Sequence, residues 1–64
     1  MNFGEQVLKE RDRLKLTQSQ LATKAKISLD TLCRIEQQRN SNPTLYVIQA
    51  LSKALNNYKF NLWN

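Results

Sequence analysis

Asp30, Cys33, Arg34 and Gln37 recur at the spacing of one helical face. At about 100° per residue they point one way, with Leu29 on the flank, while Ser28, Leu32 and Ile35 point the other. One face carries anchors and the opposite face carries donors and acceptors. A helix lying in a major groove presents such a surface, because each base pair there shows its own pattern of donors and acceptors. Chemistry of the catalytic kind has little to work with. The chain has no histidine, a single glycine (Gly4) and a single cysteine (Cys33). No two carboxylates share a face, no side chains have metal-ligand spacing, and no glycine loop can cradle a phosphate. An enzyme is not expected, and no cofactor or metal is implied. Cys33 reads as a small neighbour of the polar face rather than a nucleophile, since no histidine can activate it.

Two short helical patterns must position that face. Thr17 and Gln20 have the spacing of a capping box, in which each side chain takes the other residue's backbone N–H. Leu21, Ala22 and Ala25 follow as a small apolar face that lets another helix come close. Ser28 is a suitable N-cap for the second pattern, and Ile27 should plug the angle between the two. Helices this short do not stand alone in water, so they must pack on each other and on neighbours. Residues 17–36 therefore read as a helix-turn-helix.

The rest of the chain supplies the neighbours. Residues 3–15 read as a first helix, with Phe3, Val7, Leu14 and Leu8 as its apolar face and Lys9, Arg13 and Lys15 turned to solvent or phosphate. Residues 37–44 form a polar loop, followed by a cap at Asn42 or Thr44 and by Pro43 at a first-turn position. Residues 44–55 read as a last helix whose stripe of Leu45, Ile48, Leu51 and Leu55 should be buried. Asn56 and Asn57 are good helix-ending residues. Beyond them the sequence alternates, with Tyr58, Phe60 and Leu62 on one side and Trp63 on the other. Alternation is strand periodicity, and a lone strand needs a partner from another chain. Strand, short fifth helix and frayed tail all stay open for this segment.

Sixty-four residues make one domain, which is marginal on its own and would gain from a second copy. The net charge is +5, and eight of the ten cations fall between Lys9 and Arg39, in and around the motif. That excess favours a polyanion. A lone cysteine fits a reducing compartment, and no run approaches a membrane span or a signal peptide. A soluble chain in the cytoplasm, associated with the nucleoid, is expected.

The residues Leu16-Thr17-Gln18, Leu21-Ala22, Ala25, Ile27-Ser28, Ile35-Glu36, Asn42-Pro43-Thr44-Leu45, Ile48, Leu51 and Ala54-Leu55-Asn56 resemble the lambdoid phage repressor and Cro helix-turn-helix family. The likeness runs from about Val7 to Asn56. Two positions depart from it: Lys26 and Gln38 stand where the family usually has glycine. The resemblance implies an all-α, lambda-repressor-like DNA-binding domain of four to five helices over residues 1–56. Residues 57–64 form a tail, similar to the end of HipB-type antitoxins, in which a closing β-strand joins two subunits.

The resemblance also implies roles. Ser28, Leu29, Asp30 and Arg34 stand where the family reads bases. An arginine can grip O6 and N7 of guanine, an aspartate can accept from cytosine N4, and a leucine can pack on a thymine methyl. Asp30 and Arg34 are also four apart and suited to an ordinary intrahelical salt bridge. Thr17, Gln18 and Ser19 would meet the DNA backbone at a helix start, as would Arg39, Asn40 and Asn42 in the loop. Arg11 would pair with Glu36, unless both are solvated surface charges. Tyr58, Phe60, Leu62 and Trp63 would serve dimerisation. The function implied is a homodimeric repressor of a palindromic operator, acting sterically. The alternative is an antitoxin that holds a toxin protein as well as DNA.

Overall fold

The computed structural model describes residues 2–37 and 43–61 and contains four helices: α1 (Phe3–Arg13), α2 (Gln18–Ala25), α3 (Leu29–Glu36) and α4 (Leu45–Ala54). Each begins at a side-chain cap. Asn2 accepts from the Glu5 N–H at 2.9 Å, Thr17 from Gln20 at 3.0 Å, Ser28 from Thr31 at 3.0 Å and Thr44 from Val47 at 3.2 Å. Thr17 and Gln20 complete the reciprocal box, the Gln20 carbonyl lying 2.8 Å from the Thr17 N–H. Caps satisfy backbone donors that a short helix cannot satisfy internally. Thr44 is the last cap, so Pro43 precedes the helix instead of entering its first turn.

Left-handed residues set three of the ends. Lys15 (φ 57°), Lys26 (φ 59°), Asn56 (φ 60°) and Asn57 (φ 62°) all adopt positive φ. Lys15 stops α1 at Arg13, two residues before the end expected from its apolar pattern. Lys26 takes the conformation that glycine would adopt most easily, and the Ile27 N–H reaches back to the Ala22 carbonyl at 3.0 Å to close the α2–α3 turn. The turn geometry is kept despite the missing glycine, at the steric expense of a Cβ in the left-handed region.

The core is Val7, Leu21, Ala22, Ala25, Leu32, Ile35, Leu51, Ala54 and Leu55, all buried. α2 packs on both α3 and α4, and α1 packs on α3. Gly4 permits the last contact. A Cβ there would lie 2.2 Å from the Ile35 carbonyl oxygen, so only glycine lets the start of α1 sit against the end of α3. Leu8 is exposed, and so is Leu45, at 68%. Leu45 fits the 3,3,4 stripe by spacing but is the first residue after the Thr44 cap, at the exposed start of the helix. Ile48 is half-buried, so Leu51 and Leu55 are the filled part of that stripe.

No strand is present among the described residues. After α4 the chain folds back over its own core. The Tyr58 N–H donates to the Ser52 carbonyl (3.1 Å) and the Ser52 hydroxyl to the Tyr58 carbonyl (2.7 Å). Phe60 packs against Phe3 and Tyr58, with ring centroids 4.7 and 4.9 Å apart. The buried Gln6 amide grips the Asn61 backbone at both ends, with two bonds of 2.7 Å. The strand that was one of the expected alternatives is thus not formed through residue 61, and the segment is held by its own α1 and α4. Its alternating aromatics and its ladder-like backbone bonds go to a helix face and a side-chain amide.

Candidate nucleic-acid interface

α3 stands on Leu32 and Ile35, which are 0% and 1% exposed. Their burial fixes the rotation of the helix, so the opposite side faces solvent. Leu29, Asp30 and Arg34 are exposed there, with Ser28 at the cap and Gln37 at the end. The Arg34 Nε lies 3.0 Å from the Asp30 Oδ2. Both side chains are mostly in water, where such a pair contributes little. It holds the guanidinium along the helix surface without a large barrier to leaving. Thr31, whose hydroxyl receives a bond from the Ser28 hydroxyl at 2.7 Å, makes that cap side chain a donor within the helix start.

Behind this face lies a polar network that joins three helices. Glu36, with a side chain 2% exposed, accepts from Arg11 Nε at 2.7 Å and from Arg11 Nη2 at 3.0 Å. Arg11 also donates to the Leu16 carbonyl at 2.8 Å. The bond to Glu36 raises the Arg11 pKa above its ordinary value despite partial burial. Gln18 Nε2 donates to Glu36 Oε1 at 2.9 Å, and the Gln18 carbonyl accepts from the Cys33 thiol at 3.4 Å. α1, the first turn of α2 and the end of α3 are therefore fixed to one carboxylate.

The network decides what α2 can offer an anion. Both ends of the Gln18 side-chain amide are engaged inside the protein. The capping box uses the N–H groups of Thr17 and Gln20. Those of Gln18 and Ser19 remain without a partner among the described residues, beside the exposed Ser19 hydroxyl. Two free N–H groups at a helix start are suited to a phosphate oxygen. Arg39, Asn40 and Asn42 lie outside the described residues, as do Gln38, Leu62 and Trp63. Tyr58 and Phe60 are half-buried against their own core.

Three features escape a reading of side-chain pattern. Gln6 looks like a surface residue of α1 and is 3% exposed, because it clasps the tail. Glu10 is also buried and is bound by Arg13, whose Nε lies 2.8 Å away. The Gln18–Glu36 bond spans residues eighteen apart, which no local spacing announces.

Among the described residues no set of three metal-binding side chains converges and no helix is long and apolar enough to cross a membrane. A family model, helix-turn-helix, matches residues 7–63. Proteins of that family are DNA-binding regulators, not enzymes. No curated protein and no solved structure matches the chain.

Proposed function

Because the chain belongs to the helix-turn-helix family, we propose that it is a sequence-specific transcriptional repressor that binds a palindromic operator as a homodimer. The observation that carries this reading is the exposed side of α3, held outward by Leu32 and Ile35. Arg34 reads guanine with two donors once Asp30 releases it, and Asp30 and Leu29 sample neighbouring bases from the same side. Ser28, at the helix start, reaches the edge of the same groove. The N–H groups of Gln18 and Ser19, with the Ser19 and Thr17 hydroxyls, hold one phosphate strand, and Arg39, Asn40 and Asn42 hold backbone beyond α3. Phosphate contacts set the register and α3 sets the sequence.

Two copies related by a two-fold axis would place their α3 helices about 34 Å apart on successive turns of one DNA face. Leu45, which is exposed, and the tail residues Leu62 and Trp63 are assigned to that pairing. Residues 57–64 act in this as the dimerising end of the domain formed by residues 1–56. The chain works in the cytoplasm, on the nucleoid, and represses its own promoter by occupying it. Affinity for duplex should fall steeply between low and moderate salt, because each neutralised phosphate releases counterions. Fluorescence anisotropy over a salt series tests this, and a flat dependence removes phosphate contact from the mechanism.

A second reading is an antitoxin that holds a toxin protein while bound to DNA. It is favoured by a basic groove that lies off α3. Co-purification with the product of an adjacent gene tests it.

A further inference from the structure

A groove of about 760 Å³ lies where the end of α2, one side of α4 and the segment after α4 meet. Lys24 and Lys26 enter it from the α2 end, Lys53 from α4 and Lys59 from the tail. All four are exposed, and none has an ion-pair partner among the described residues. Among the described residues no acidic side chain lines the groove. The half-buried Ala50 and Phe60 give it an apolar wall.

We propose that this groove docks an acidic polypeptide segment of a partner protein, carrying at least one apolar side chain among its carboxylates. Charge complementarity selects the acid: four unpaired cations on three separate elements call for negative charge spread along a ligand. The apolar wall favours a polypeptide over a duplex, since a duplex backbone offers Phe60 only the small C–H faces of its sugars between charged phosphates. It is not a contact between two copies of this chain. A two-fold interface sets a patch against itself, and here that brings lysines against lysines. Among the described residues none that lines the groove belongs to α3 or to the first turn of α2, so the segment and a duplex can be held together. The groove gives the second reading above its surface and rests on no part of the operator reading.

Selection from a random peptide library displayed on phage, followed by fluorescence anisotropy of the enriched peptide, tests the proposal. The expected consensus combines Asp or Glu with aromatic or aliphatic residues. Its affinity should fall at least about tenfold in Lys24→Glu/Lys53→Glu, where like charges face the ligand. Lys9→Glu/Lys15→Glu, of equal net charge and on exposed α1-side positions, should change it much less. Circular dichroism checks that both variants are folded. A neutral or basic consensus, no enrichment, equal losses in the two variants, or displacement of the peptide by duplex would each overturn the proposal. A co-purified neighbour that binds the Lys24→Glu/Lys53→Glu variant as well as the parent would remove the groove and leave the second reading standing.

Discussion

Glu36 joins three helices through one carboxylate. Glu36→Gln keeps the shape of the side chain, removes its charge and turns one acceptor into a donor. The carboxylate accepts three bonds, two from Arg11 and one from Gln18. The amide can satisfy only part of that set, and its NH2 meets another donor. Removing one partner of a buried ion pair costs about 3–5 kcal/mol. Arg11 is 17% exposed and keeps its bond to Leu16, so about 2–4 kcal/mol is expected here. A domain of this length has about 3–10 kcal/mol in total. With a urea slope near 1 kcal/mol/M, the midpoint followed by circular dichroism should drop by about 2–4 M. Arg11→Met/Glu36→Leu should lose less than the sum of its single changes, by about 1–3 kcal/mol. A Glu36→Gln midpoint within about 0.5 M of the parent would refute the idea that one carboxylate ties the three helices.

Gly4→Ala should destabilise by about 1–3 kcal/mol, because its Cβ meets the Ile35 backbone and not a side chain that can move; an unchanged melting temperature would contradict this. Lys26→Gly should stabilise by about 0.5–1 kcal/mol, the relief of a left-handed Cβ less the added freedom of the unfolded chain, and a lower urea midpoint would show that the turn is not strained. The bond from Arg13 holds the Glu10 carboxyl below its ordinary value of 4.5, against the opposing effect of burial. A carboxylate with a lowered folded pKa stabilises above its unfolded value and loses that contribution as pH falls through the folded one. Urea midpoints should therefore decline below pH 4.5, and Glu10→Gln should flatten the decline; equal slopes in both proteins would dismiss the pair as a source of acid sensitivity.

What the sequence made legible was local. Capping residues and apolar spacing located four helices and the turn at residues 26–28, since both act within a few residues of themselves. The end of α1 was not legible, because Lys15 turns left-handed where no glycine announces it. Leu45 shows the limit of periodicity, which says which residues share a face but not how far along the helix a neighbour extends. The tail shows another. Alternating aromatics leave strand, helix and frayed tail open for this segment, because they do not state what satisfies the backbone. The answer is Gln6, fifty-five residues away, in a position that reads as surface. For the interface, the outward side of α3 follows from its anchors alone. The inward turn of the Gln18 amide follows only from the three-dimensional meeting of α2 with Glu36 and Cys33.

In the function proposed above, α3 meets bases through its outward side chains, with Arg34 foremost. Selection of bound duplexes from a random library, run in parallel on the parent and on Arg34→Ala, tests it most directly. The parent should return a palindromic consensus. In the variant one base pair per half-site should relax, at about 1–3 kcal/mol of lost discrimination, while the remaining positions stay. An identical consensus from both proteins, or none from the parent, would contradict it.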